Sequence, residues 1–196
     1  MKSYQVLPES YEKILKIDLK NDKKLYVLIN IFAILIAFLM TIIISGFIPL
    51  SSIYDNKLWL LFIRLGVLIL GMALYLILHE LTHGIVMKLF GTKKIKYGFT
   101  GNFAYAGSDD YYAKIPYIII ALSPVILWGV VLLLLCFVVP YNWLWIVCLI
   151  QIVNISGAVG DFYVTFKFIR LPKDILIRDF GTSMTVYSKK AEKDLD

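Results

Sequence analysis

Four stretches of this chain, residues 25–50, 58–90, 116–139 and 142–168, are each apolar and long enough to cross a lipid bilayer as a helix. About 20 predominantly apolar residues suffice for one crossing, and four such runs in 196 residues leave little chain for anything else. The composition agrees: 60% of residues are hydrophobic and 17% charged, with a mean hydropathy of +0.78, against about 45–50% apolar and 25% charged in soluble domains. A soluble globule is excluded. So is a disordered chain, because 15% aromatic residues and long aliphatic runs are the opposite of a sequence too polar to collapse. The expected fold class is an all-α polytopic membrane protein: four transmembrane helices with a small cytoplasmic-side β-hairpin. The second stretch, roughly 50 Å long at 1.5 Å per residue, must tilt, break or project beyond the bilayer.

Orientation follows from the basic residues between the spans. Seventeen of the twenty Lys and Arg residues fall in the N-terminal segment, in the connection between the second and third spans, or in the tail from Phe166, whereas the two opposite loops hold Lys57 alone. Both termini are therefore expected in the cytoplasm of a multi-pass protein of the cell membrane, with anionic lipid favouring that face. The organisation expected is a cytoplasmic N-terminal segment (residues 1–24), a four-span domain (25–168) and a cytoplasmic tail (169–196). The net charge of +6 is thus a topology signal, and nucleic acid is not an expected partner, since the basic residues neither line one helix nor alternate with a stacking motif. The polar start of the chain lacks a small-residue cleavage site, so the first apolar run reads as an uncleaved span. Cys136 and Cys148 fall inside apolar runs and indicate neither a disulfide nor a metal pair.

Between the second and third spans, Ile95, Tyr97 and Phe99 alternate, Thr100-Gly101-Asn102 supplies turn chemistry, and Phe103 and Tyr105 resume the alternation. That pattern predicts a β-hairpin, either a surface connection held on the membrane by its aromatic residues or a place where substrate docks. Residues 183–187 suggest one more short strand.

Ionisable residues inside a span are expensive and each needs a reason. Arg64 and Lys88, near the two ends of the second span, are expected to snorkel to an interface. The others are His79, Glu80, His83 and Asp161. His79-Glu80-Leu81-Thr82-His83 is an H-E-x-x-H sequence on a helix, where residues four apart lie about 40° apart around the axis, so both imidazoles can take corners of a tetrahedral zinc site with Glu80 alongside as a base. With only two histidines and four glutamates in the chain, chance placement in this order has odds on the order of 1 in 5,000.

A catalytic zinc normally takes three protein ligands. No third histidine exists, and Asp161 is the one other carboxylate within the spans. Counted from the outer face, His79 lies about 31 Å along the second span and Asp161 about 28 Å along the fourth, so the two depths match. Asp161 could instead cap its helix or pair with Lys167. Asn154 stands seven residues before Asp161, on the same face of a continuous helix, and could bind a substrate carbonyl or a developing oxyanion; an interhelical hydrogen bond would account for it equally. Gly157 and Gly160 permit a close helix approach, and Ser123-Pro124 interrupts the third span and frees backbone carbonyls.

His79-Glu80-Leu81-Thr82-His83-Gly84 late in one span, Ser123-Pro124 in the next and Gly160-Asp161 in the last resemble the small multi-pass membrane proteins grouped as putative zincin peptidases, formerly a domain of unknown function. Those in turn are similar to the site-2 protease class of intramembrane metalloproteases. The resemblance covers residues 58–187. It implies zinc bound by His79, His83 and Asp161, water activated by Glu80, and a membrane-anchored protein as substrate. The chain departs from the site-2 class in having Gly157 where that class has proline and Phe162 after the aspartate.

The expected function is a zinc-dependent intramembrane peptidase acting on a membrane-anchored protein or peptide within the lipid bilayer. Zinc is the expected cofactor, Glu80 the expected catalytic base, and His79, His83 and Asp161 the expected ligands. The alternative is a non-catalytic metal-binding membrane protein that binds or escorts a partner.

Overall fold

The computed structural model describes residues 3–54, 57–101 and 104–189; Asn102 and Phe103 of the expected hairpin lie outside them. Asp22 opens the first helix, its carboxylate accepting from the N–H groups of Lys24 at 3.1 Å and Leu25 at 3.0 Å, which satisfies two donors that a helix start leaves unpaired. Helix α1 then runs Lys23–Phe47 and stops short of Pro49. Helix α2, Leu58–Leu89, is unbroken, about 48 Å long at 1.5 Å per residue. Just past its C-cap Phe90 stands Gly91, whose φ of +99° lies in the left-handed region that closes helices. Helix α3, Lys114–Leu135, carries Pro124 inside it.

The fourth apolar stretch departs from the expected single span. It forms two helices, α4 (Leu144–Gly157) and α5 (Val159–Ile169), parted at Ala158, where ψ of 11° interrupts the ladder. Gly157 and Gly160, poor helix formers, flank that break. All four stretches remain long and apolar enough to cross a membrane. None of the apolar stretch of α1 is buried within the protein, whereas 44% of the fourth's is, so α1 lies on the outside and α4 with α5 inside. Ile34, Phe38, Ile69 and Leu70 are among the large apolar side chains left bare on the helix flanks.

At one end of the bundle, two short 3-10 turns, Leu50–Ile53 and Tyr141–Trp143, join the helices. Arg64 is buried beneath them, 1% exposed. Its guanidinium donates to the Ile53 carbonyl and lies 5.7 Å from the Trp143 ring centre. Arg64 thus reaches toward that end of the bundle as expected, but it is received by the folded loops, which supply a carbonyl acceptor and an aromatic face in place of water.

The opposite end carries all the strands among the described residues, which makes the all-α expectation incomplete. The expected hairpin is present, β2 (Ile95–Phe99) pairing with β3 (Ala104–Ser108). Beside it stands a four-stranded antiparallel sheet built from β1 (Tyr11–Asp18), β4 (Tyr111–Ala113), β5 (Ile175–Asp179) and β6 (Ser183–Lys189), in the order β1-β6-β5-β4. Strand β6 includes residues 183–187, where a strand was expected. Its partners are remote in sequence: Asp18 pairs with Ser183 and Tyr11 with Lys189. Ile175, Ile177 and Val186 turn inward onto Tyr112, Tyr117, Val164 and Phe168, forming one core between the sheet and the helix ends. The sheet thereby caps the end of the bundle where the H-E-x-x-H sequence lies.

Candidate metal centre

Residues four apart on a helix share a face, and Tyr75, His79, His83 and Met87 make such a line along α2, all of them buried. The restart of the helix at Val159 places Asp161 in the first turn of α5, where the positive end of the helix dipole favours a carboxylate. The two elements converge. His79 Nε2 lies 3.5 Å from Asp161 Oδ2, and His83 Nε2 lies 3.7 Å from Asp161 Oδ1. Lys167, the other partner considered for Asp161, donates instead to Tyr163 Oη at 3.2 Å.

The Nδ1 atoms of both rings are occupied. His83 Nδ1 lies 2.9 Å from the carbonyl oxygen of Ile120. Proline has no N–H, so Pro124 leaves that carbonyl without its usual helical donor; Ser123 Oγ also donates to it, at 2.9 Å. A carbonyl only accepts, so His83 carries a proton on Nδ1, and Nε2 is the ring nitrogen left facing Asp161. His79 Nδ1 lies 2.9 Å from Tyr75 Oη.

A cavity of about 150 Å³ adjoins this group, with His79, Glu80, His83 and Asp161 in its wall. The Glu80 carboxyl accepts a hydrogen bond from the backbone N–H of Ala106 in β3. The hairpin lies close over α2, because a Cβ at Gly84 would fall 1.9 Å from Tyr97 Oη; the glycine after His83 is what admits that ring. Asp179, also in the cavity wall, accepts from Tyr117 Oη at 2.6 Å and from the Gly181 N–H at 2.7 Å. Burial pushes its carboxyl up to about 6.

Four of the five residues singled out from the sequence thus border one cavity, and Asn154 does not. Asn154 is fully buried. Its amide nitrogen donates to the Val125 carbonyl at 3.2 Å and to Gln151 Oε1 at 3.3 Å, and its Oδ1 accepts from Tyr75 Oη at 2.8 Å. The interhelical alternative is the one observed, because the break at Ala158 resets the helical phase that would have aligned Asn154 with Asp161. Tyr75 and Asp179 were not singled out. Tyr75 had a signal, since it stands one turn before His79 on the same face; Asp179 had none, being one of several acids in the tail.

A family model described as Putative zincin peptidase matches residues 72–176, just over half of the chain. The chain belongs to that family. Neither a curated protein nor a solved structure matches it. The matched range of this zincin family holds both histidines, Glu80, Pro124 and Asp161, and membership supports a zinc metallopeptidase in general. The donor set fits that metal. Zinc bonds of about 2.0–2.1 Å separate tetrahedral ligand atoms by about 3.3 Å, close to the two distances from Asp161, and one ligand atom from each residue lies within 4.8 Å of the others. Two imidazoles and one carboxylate, each histidine anchored through Nδ1, are a donor set suited to a catalytic zinc of the zincin kind.

Proposed function

We propose that this protein is a zinc-dependent intramembrane peptidase that hydrolyses peptide bonds of membrane-anchored protein substrates. The observation that carries the proposal is the meeting of His79 and His83 Nε2 with Asp161 beside Glu80, in one cavity at the end of four apolar helices. His79, His83 and Asp161 hold the metal. Zinc bound there supplies Lewis acidity, polarising the scissile carbonyl and making water acidic enough to be deprotonated near neutral pH. Glu80 takes the proton from the attacking water and hands it to the leaving amine. A helical peptide hides its carbonyls, so substrate must unwind to react, and β3 offers an edge on which it lies as an added strand; Ala104, Tyr105 and Ala106 in the cavity wall support that placement. In this reading both termini and the six strands among the described residues face the cytoplasm of the cell membrane.

The purified wild-type protein is expected to carry about one zinc per chain, and His79→Ala or His83→Ala to lose most of it. Glu80→Gln should keep zinc while cleavage of a membrane-anchored substrate falls by a factor on the order of 10² or more. Asp161→Asn should weaken metal binding, because an amide is a poorer zinc ligand than a carboxylate. If Glu80→Gln leaves the cellular phenotype intact while His79→Ala abolishes it, the protein is a non-catalytic metal binder and the peptidase reading is rejected.

A further inference from the structure

Asn154, Tyr75 and His79 form one chain of hydrogen bonds joining α4 to α2, and each link has a fixed direction. The Val125 carbonyl can only accept, so the Asn154 amide nitrogen must face α3, which turns Oδ1 toward Tyr75. Oδ1 can only accept, so the single hydroxyl proton of Tyr75 goes to it, across 2.8 Å. What Tyr75 then presents to His79 Nδ1, 2.9 Å away, is a lone pair. His79 must therefore carry its proton on Nδ1. The chain is shielded from solvent: Tyr75 is 5% exposed and Asn154 0%.

We propose that Tyr75 and Asn154 are positioning residues for the metal centre, holding His79 in the Nδ1–H tautomer so that its Nε2 lone pair faces the metal beside Asp161. The inference rests on the metal-binding reading above and assigns the work of two residues that reading leaves out. The opposite tautomer would put a proton on Nε2 and disqualify His79 as a ligand. His83 reaches the same state by a separate device, the Ile120 carbonyl that Pro124 leaves without a helical donor. Asn154 acts here through Tyr75 and not on substrate. Tyr75→Phe removes the acceptor of the Nδ1 proton. Asn154→Ala leaves the acceptor in place and frees the hydroxyl to donate to Nδ1, which favours the wrong tautomer.

The test uses full-length protein in detergent, with zinc affinity read by chelator competition and ligand geometry by the visible spectrum of the cobalt-substituted form. Each single variant should weaken zinc by a factor on the order of 10 to 100 and alter the cobalt spectrum. The double variant should bind no more weakly than the worse single one, because both substitutions break one chain; independent packing defects would multiply. Tyr75→Phe keeps the ring and loses one oxygen, so it carries the test if Asn154→Ala does not fold. Wild-type zinc affinity in Tyr75→Phe, or defects that multiply in the double variant, would overturn the proposal while leaving the zinc site standing. A wild-type protein that binds no zinc rejects the function proposed above and this inference together.

Discussion

Asp179 shows how a single residue is placed against its own solvation. Tyr117 Oη and the Gly181 N–H each satisfy one carboxylate oxygen, yet burial still outweighs them and lifts the carboxyl from its ordinary 3.8 to about 6. A carboxyl whose folded value lies above its unfolded one favours the folded state while protonated, so its contribution is complete below about pH 4 and is lost as pH rises toward 6. At one unit per 1.36 kcal/mol, the loss by neutral pH is on the order of 3 kcal/mol. Asp179→Asn should therefore raise the thermal stability of metal-stripped protein at pH 7 and leave it unchanged near pH 4. Equal stabilisation at both pH values would show that the carboxyl does not titrate as its burial implies. Asp18 works in the opposite sense, since hydrogen bonds from Asn21 and Lys16 hold it down at about 2, and it favours the folded state above the acid range.

Helix α3 couples its own irregularity to the site. Pro124 denies Ile120 a helical donor, and His83 shares that carbonyl with Ser123 Oγ. An interior proline costs a helix about 3 kcal/mol, so Pro124→Ala should stabilise α3 against unfolding. The N–H it restores would compete with His83 for the Ile120 carbonyl and lower zinc affinity by a factor on the order of 10. Thermal unfolding and chelator competition on one sample would test both halves, and a variant that gains stability with zinc affinity unchanged would sever the link. The sequence disclosed that a carbonyl is freed, but the partner of that carbonyl is a contact between distant segments that no local pattern encodes. The same distinction runs through the other elements. The long helices were legible because lipid-length apolar runs have few other outcomes, and β2 with β3 because their residues alternate. Strand β1 is mostly exposed and β5 begins with three consecutive buried residues, so neither has the period of a half-buried strand. The break at Ala158 was hidden because Gly157 and Gly160 read equally well as helix-packing residues. Asp161 could be picked out by elimination and matching depth, whereas the choice between the two readings of Asn154 turns on that break.

At the scale of the molecule, the strands, the cavity and most of the basic side chains gather at one end of four apolar helices, and two short turns close the other. A bilayer around the helices would leave the sheet on one side, with the metal-centre residues near that interface and not at mid-depth. The orientation proposed above, drawn from the excess of Lys and Arg, puts that side in the cytoplasm. Tyr54, exposed after the first short turn, and Lys189, exposed at the end of β6, mark the two sides. In a background with Cys136 and Cys148 replaced by alanine, Tyr54→Cys should react with a membrane-impermeant thiol reagent in intact cells, and Lys189→Cys should react only after the cells are opened. If Lys189→Cys is labelled in intact cells and Tyr54→Cys is not, the orientation is reversed. The cavity would then open to the outer side, and a substrate strand on β3 would have to arrive from outside the cell.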